Sequence, residues 1–344
     1  MVTSHIILLV GVLFVMVYDF TNGFHDAADM IATAIASTAM TPRVAIFIVT
    51  IFTFIGPLLG GVAVADTIGG FVKIGDEPEK IAQSVTLAAM LTAITFNLIT
   101  WKLGLPSSSS TSLTSGLVGA GLFALGNSHI HWGISELSHG EITGFMKIVI
   151  GMFFSPLAGF VVGFFLIKLM RRFMKRLSIK SKKIFVASQY ITVSWLAFSH
   201  GTNDAQKGMG VLAMMLFASR VYPTFHVPLW VILLCASSIT LGTLFGGWNI
   251  IKTVGYGIYK VRLIHSIADQ IGSAFIILSS SLFGAPTSTT QVVTTTLMGV
   301  GAGERPRHVR WMMAKTIAMG WLLNIPSCIL LGAGYCFLFT KIFS

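Results

Sequence analysis

Apolar stretches of about 18 residues or more, the length that carries a helix across a bilayer core, recur from one end of this chain to the other. Polar residues interrupt them in four short islands. GFHDAADM, from Gly23 to Met30, returns as GTNDAQKGM from Gly201 to Met209, and GLPSSSSTSLTSGLVGAG, from Gly104 to Gly121, returns as GAPTSTTQVVTTTLMGVG from Gly284 to Gly301. The second pair follows the first by roughly 180 residues and in the same order, the mark of a tandem duplication. Similarity that survives mainly in the polar interruptions of apolar helices predicts two repeats meeting at one binding site, an architecture used by transporters.

Basic residues orient these elements. A central hydrophilic loop around Ser178 carries Arg171, Arg172, Lys175, Arg176, Lys180, Lys182 and Lys183 and no acid, which places it on the cytoplasmic side. In the second half a helix broken around His200 leads outward, Val227 to Gly247 returns, and the next loop holds Lys252, Lys260 and Arg262. Ile264 to Leu282, a polar tip at Ala285 to Thr290 and a second limb to about Gly301 then read as a hairpin re-entering from the cytoplasm, closed by Arg305, Arg307 and Arg310. Trp311 to Phe339 crosses last, past Pro326. The first half is the mirror image. Its loops at Asp66 to Lys80 and Gly126 to Glu141 are acidic or neutral and fall outside, and Ile81 to Leu103 with Leu113 to Leu125 form the opposing hairpin around Pro106 to Thr111. With five hydrophobic elements per repeat and the charge rule met on both sides, the repeats are inverted and their tips approach near the midplane. Limbs of about 20 residues also suffice to span, so complete helix pairs remain the alternative to re-entrant hairpins. The units are residues 1–170, a basic linker 171–183, and residues 184–344.

Composition agrees with this class and removes others. Of 344 residues 54% are hydrophobic and 10% charged, too apolar for a soluble core at this length. The net charge of +11 does not point to nucleic acid, because the basic residues sit where topology puts them. Ile6 to Tyr18 lacks a basic flank and a small-residue cleavage site, and reads as a retained first helix. Cys235, Cys328 and Cys336 lie in apolar segments without CxxC spacing, so neither disulfide nor zinc is implied. There is no GxSxG elbow, HExxH or Walker A sequence to support an enzyme or an ATP-driven pump, and no cofactor is expected. His129, His131 and His139 are irregularly spaced in an exposed loop and read as solvated side chains.

The islands carry the chemistry. PSSSST from Pro106 and PTSTT from Pro286 put hydroxyls and free backbone N–H groups at the positive end of a helix dipole, with proline fixing the helix start: an anion cradle without a fixed charge. Its candidate anion ligands are Ser107, Ser108, Ser109, Ser110, Thr111, Thr287, Ser288, Thr289 and Thr290, with Lys207. The plainer reading, hydroxyls that merely pack helices, suits one tip better than two in matched positions. Asp26 and Asp204 fall in matching places beside Asn22 and His25 in one repeat and His200 and Asn203 in the other. A carboxylate in mid-membrane costs about 2.5–3.5 kcal/mol on insertion scales, so it is paired or at work. Carboxylate, amide oxygen and unwound carbonyls suit Na⁺, or a proton taken up by the acid; Asp as a helix cap is compatible with either. The cation candidates are Asn22, Asp26, Asp29, Asn203 and Asp204, with Na⁺ at Asp26 and Asp204. Asp29 and Lys207 occupy equivalent positions, and either pair with each other or leave Lys207 to the anion and Asp29 to a proton. Lys102 attracts anions or snorkels, and Asn97, Asp269 and Gln291 read as helix-to-helix hydrogen-bonding groups.

NGFHDAAD and HGTNDAQKG together with GLPSSSST and GAPTSTTQ resemble the PiT family of inorganic phosphate transporters, whose repeats carry a GANDVANA-type signature and PSSS or PSTT-type turns. The resemblance spans both repeats. It implies symport of inorganic phosphate with Na⁺ or H⁺, phosphate held by the Ser and Thr tips, cations around the repeated Asp, and it admits a homodimer. Asp26, Asn203, Asp204, Ser107 to Ser110 and Thr287 to Thr290 match the family pattern. His25 and Asp29 stand where the family has Asn, and Thr111 replaces a frequent His; the extra acid bears on the coupling ion. The expectation is therefore an all-α inner-membrane symporter with inverted repeats, discontinuous helices and alternating access. A sulfate permease on the same scaffold is the nearest rival, disfavoured because phosphate keeps a proton at neutral pH that a carboxylate such as Asp29 can accept. An anion channel needs no pair of buried acids.

Overall fold

The computed structural model describes residues 2–74, 77–105, 107–174, 182–246 and 248–343. These residues form thirteen α-helices: α1 (Val2–Ala36), α2 (Pro42–Leu59), α3 (Ala63–Gly70), α4 (Glu79–Leu103), α5 (Ser109–Ala124), α6 (Ile134–Ser138), α7 (Gly144–Met174), α8 (Lys182–Ala218), α9 (Leu229–Phe245), α10 (Trp248–Gly257), α11 (Leu263–Leu282), α12 (Thr289–Glu304) and α13 (Trp311–Phe343). Among them α1, α2, α4, α7, α11 and α13 are long and apolar enough to cross a membrane. The chain is an all-α, multi-pass membrane protein. Its polarity is arranged accordingly: Leu330, Phe154 and Leu322 are exposed, whereas Asp26, Asp204 and Lys207 are buried, as expected where the outer solvent is hydrocarbon.

The helices pack in reciprocal fashion. α1 lies on α9 while α8 lies on α2, and α5 lies on α13 while α12 lies on α7. Paired glycines make these crossings close. A Cβ on Gly23 would stand 2.0 Å from the Ile239 carbonyl oxygen, and one on Gly242 2.0 Å from that of Phe20. The same exchange recurs at Gly201 with Thr53 and at Gly56 with Phe198. Small residues let backbones touch where lipid supplies no hydrophobic drive for helix association.

That role corrects one expectation. The acid-bearing islands do not interrupt their helices: α1 and α8 run unbroken through Gly23 and Gly201, because these glycines accommodate a neighbouring backbone and are not placed to unwind the helix. Among the described residues, the breaks in the expected paired limbs lie at the hairpin tips. There α4 closes on Gly104 in the left-handed region at φ 65°, and the second tip turns at Gly284, φ 68°.

Each repeat also contains a short helix the hydropathy pattern passes over. α3 occupies the start of the expected Asp66–Lys80 loop, and α10 occupies the expected loop that holds Lys252. They are 8 and 10 residues long, too short to register as spans. The second limbs, α5 and α12, begin at Ser109 and Thr289 and are 16 residues each, about 24 Å, short of a bilayer core. Pro106, Asp76 and, in the basic linker, Lys175, Arg176, Ser178 and Lys180 lie outside the described residues.

Candidate functional site

The two hairpin tips meet. Ser110 Oγ donates to the Thr287 carbonyl oxygen across 2.7 Å, joining the first tip to the second. Each tip is built alike: Ser108 and Ser288 are the N-caps, their hydroxyls accepting from Thr111 N at 3.1 Å and Gln291 N at 3.4 Å. The N-cap therefore falls on serine at both tips, since its side-chain oxygen can accept an N–H of the first turn. A capped third N–H leaves those of Ser109 and Ser110, and of Thr289 and Thr290, at the helix N-termini, where an anion is favoured.

Corresponding residues of α1 and α8 hold the tips. His25 stands 3.3 Å through Nε2 from Ser107 Oγ, and Asn203 in the equivalent place receives Thr287 N on Oδ1 at 3.2 Å and donates to Ser281 Oγ at 2.9 Å. Both faces of the Asn203 amide are thereby committed to the second tip. Asn22 and His200, also equivalent, both turn to Asp204. Asn22 Nδ2 donates to Asp204 Oδ2 at 3.0 Å, and His200 Nδ1 lies 3.1 Å from Thr289 Oγ1, which itself donates to Asp204 Oδ1 at 3.1 Å. His200 Nε2, on the other side of the ring, is buried without a hydrogen-bond partner.

Asp26 accepts from His25 Nδ1 at 2.9 Å. Thr290 Oγ1 reaches Asp29 Oδ2 at 2.6 Å and Asp26 Oδ1 at 3.3 Å. One hydroxyl has one proton, so it serves a single carboxylate, and Asp29 Oδ1 is buried without any hydrogen bond. Asp26, His200 and Asp204 offer ligand atoms within 4.8 Å of one another, the one such group among the described residues.

Lys207 does not pair with Asp29. Its ammonium lies 2.8 Å from Asp204 Oδ1, three residues earlier on the same helix, and donates to the Thr287 carbonyl oxygen at 2.9 Å. The ion pair is local because i,i+3 positions share a helix face. Thr111 also departs from the cluster: its hydroxyl donates to Ser108 Oγ at 2.8 Å, and with Gln291 it borders a separate, mostly apolar cavity of about 240 Å³ between α7 and α13. Lys102 is exposed, with its helix end, as a snorkelling side chain is. Both amide atoms of Asn97 are buried without hydrogen bonds, so the expected helix-to-helix bond is not made there, and the buried Asp269 carboxylate of α11 lies beside Thr33 of α1 and Ser273. The loop histidines each have a partner, His129 with Glu77 and His131 with Glu136, both at 2.8 Å.

Sequence reasoning left out His25 and His200 as site members, although His200 and Asp204 at i,i+4 could have been read as one helix face. It also missed Asn324 of α13, whose Nδ2 donates to Ser108 O at 3.0 Å and which no local motif marks.

A model of the phosphate transporter family matches residues 22–332. The chain belongs to that family. This phosphate transporter is 37% identical over 329 residues to a probable low-affinity inorganic phosphate transporter of Rhizobium meliloti (strain 1021), covering 95% of each chain. It is 36% identical over 345 residues to one of Bacillus subtilis (strain 168), covering 98% and 99%. A solved structure described as "The sodium-dependent phosphate transporter" superposes with a TM-score of 0.87 over 98% of this chain and 99% of that one, at 23% identity, and has the same fold. The protein is a transporter of phosphate, not an enzyme.

Proposed function

We propose that this transporter is a cation-coupled symporter that carries inorganic phosphate by alternating access around the enclosed cluster at the two tips. The observation that carries this reading is charge. Asp26, Asp29 and Asp204 are three carboxylates against one ammonium, Lys207, all at most 2% exposed. With the three acids ionised and both imidazoles neutral, the carboxylates outnumber the ammonium by two before any anion enters. Phosphate cannot join it unless cations or protons come too, which is the physical content of coupling. Na⁺ or H⁺ at Asp26 and Asp204 neutralises the carboxylates, and the N–H groups and hydroxyls of Ser107, Ser109, Ser110, Thr289 and Thr290 take the oxyanion. Ser108 and Ser288 shape the tips, and Asn203 holds the second one.

The reciprocal helix contacts support two inverted repeats, residues 1–170 and 184–344, that rock against each other and open the site to either side. The basic linker 171–183 marks the cytoplasmic side of the inner membrane. Phosphate is favoured over sulfate because Asp29 Oδ1 is an unfilled acceptor for the proton that phosphate retains.

The test is uptake of labelled phosphate into proteoliposomes under imposed Na⁺ or pH gradients, competed with sulfate and arsenate. Gradient-driven uptake inhibited by arsenate and not by sulfate is expected. Uptake that ignores both cation gradients sinks the symport reading, and equal competition by sulfate sinks the selectivity argument.

A further inference from the structure

We propose that Lys207 is a tethered cation: its ammonium fills the cation position of the Asp204 half-site, so the transported cation is taken only by the Asp26 half. This rests on the symport reading above and replaces its cation at Asp204 with the lysine ammonium.

The two half-sites are equivalent by duplication but not in charge. In the first, Asp26 and Asp29 are both acids that share the single hydroxyl proton of Thr290, 2.6 Å from Asp29 Oδ2 and 3.3 Å from Asp26 Oδ1, and Asp29 Oδ1 has no hydrogen bond. Among the described residues no lysine or arginine pairs with either acid, and Asp26 meets only the His25 ring, at 2.9 Å, and the Thr290 hydroxyl. In the second, the place of Asp29 is taken by Lys207, whose Nζ sits 2.8 Å from Asp204 Oδ1 and 2.9 Å from the Thr287 carbonyl oxygen. A carboxylate oxygen and a backbone carbonyl are the hard donors an alkali ion takes in such a site. The ammonium occupies their meeting point and is fully buried.

Geometry also argues against Lys207 as the phosphate ligand. Its contacts are to acceptors on the Asp204 side and to the carbonyl that Ser110 also engages, not to a free donor surface at the tip. Behind it, Gly208 leaves room for the Asp19 carboxylate, whose oxygens would stand 2.5 Å from a Cβ at that position. A covalently attached cation cannot be carried across. The Asp204 half is thus permanently neutralised, and the Asp26–Asp29 half alone responds to the ion gradient.

Removing the amine should create a vacancy for Na⁺. Lys207→Asn and Lys207→Met are to be reconstituted and assayed for labelled phosphate uptake with and without Na⁺ at fixed pH. Both variants should gain a Na⁺ requirement of roughly tenfold over the Na⁺-free rate, beyond whatever the unaltered protein shows, as filling a new site demands. Lys207→Arg, which keeps the charge, should not. Unchanged cation dependence with a raised apparent KM for phosphate returns Lys207 to the anion and overturns the proposal. If the variants no longer transport, thermal unfolding of the purified proteins in NaCl against choline chloride decides: a Na⁺-dependent rise confined to the neutral variants is expected, and its absence in folded protein overturns the proposal. Loss of gradient coupling in the unaltered protein would instead count against the symport reading.

Discussion

Replacing Asp204 by Asn removes the charge that balances a fully buried ammonium. Asp204 accepts from Lys207 at 2.8 Å, Asn22 at 3.0 Å and Thr289 at 3.1 Å. An Asn side chain keeps the shape and one acceptor oxygen but leaves Lys207 uncompensated, and breaking a buried ion pair from one side costs about 3–5 kcal/mol. Taking out both charges together is far milder, because no desolvated charge is left behind. Asp204→Asn should therefore unfold at markedly lower temperature than the unaltered protein in detergent, and Asp204→Asn with Lys207→Met should regain more than half of the difference. The cycle is read by tryptophan fluorescence during denaturation, with the interaction term taken from all four proteins. Phosphate uptake is expected to be lost in both variants. An Asp204→Asn protein as stable as the original, with no interaction term between the two positions, refutes the local pairing and with it the tethered-cation argument.

Other outcomes follow from single contacts. Ser110→Ala removes the bond between the tips and should raise the apparent KM for phosphate about 2- to 12-fold, the equivalent of 0.5–1.5 kcal/mol, without loss of folded protein. Thr290→Val should abolish gradient-driven uptake while Thr290→Ser preserves it, since the hydroxyl and not the methyl group supplies the one proton offered to the Asp26–Asp29 pair. Gly23→Ala drives a Cβ into the Ile239 carbonyl and should prevent recovery of monodisperse protein, whereas Gly334→Ala, with nothing within 4 Å, should be silent in the same size-exclusion assay. In the α6 loop the hydrogen bond from His131 holds the Glu136 carboxyl below its ordinary value of 4.5. Its contribution is complete above that value and is lost as pH falls through the lower folded one. Protection from hydrogen exchange in residues 131–136, taken relative to the intrinsic rate at each pH, should fall over that acid range in the original protein but not in Glu136→Gln.

The large pattern was legible because membrane helices advertise themselves by length, and because polar residues inside them are too costly to be accidental. The pairing of the tips, the acids near them and an anion as the ligand came from that, and phosphate came from the resemblance to the PiT family. What escaped depends on contacts between helices. Gly23 and Gly201 suggested breaks, and only the Ile239 and Thr53 carbonyls opposite show them to be contact points. Asp29 and Lys207 looked like partners by symmetry, but Asp204 is nearer along the same helix face and takes the amine. Ser108 and Ser288 were counted with the anion ligands, yet a hydroxyl at a helix start is drawn first to the orphan N–H of its own helix. α3 and α10 were hidden by brevity.

The central claim is that an anion enters a cluster already rich in carboxylates only when a cation enters with it. Accumulation of labelled phosphate in proteoliposomes of the purified protein, with equal phosphate on both sides at the start, tests this most directly. An inward Na⁺ or proton gradient should raise internal phosphate above external, and Asp26→Asn should reduce the response to passive leak. Equilibration without accumulation under either gradient, or accumulation unchanged in Asp26→Asn, would contradict the account.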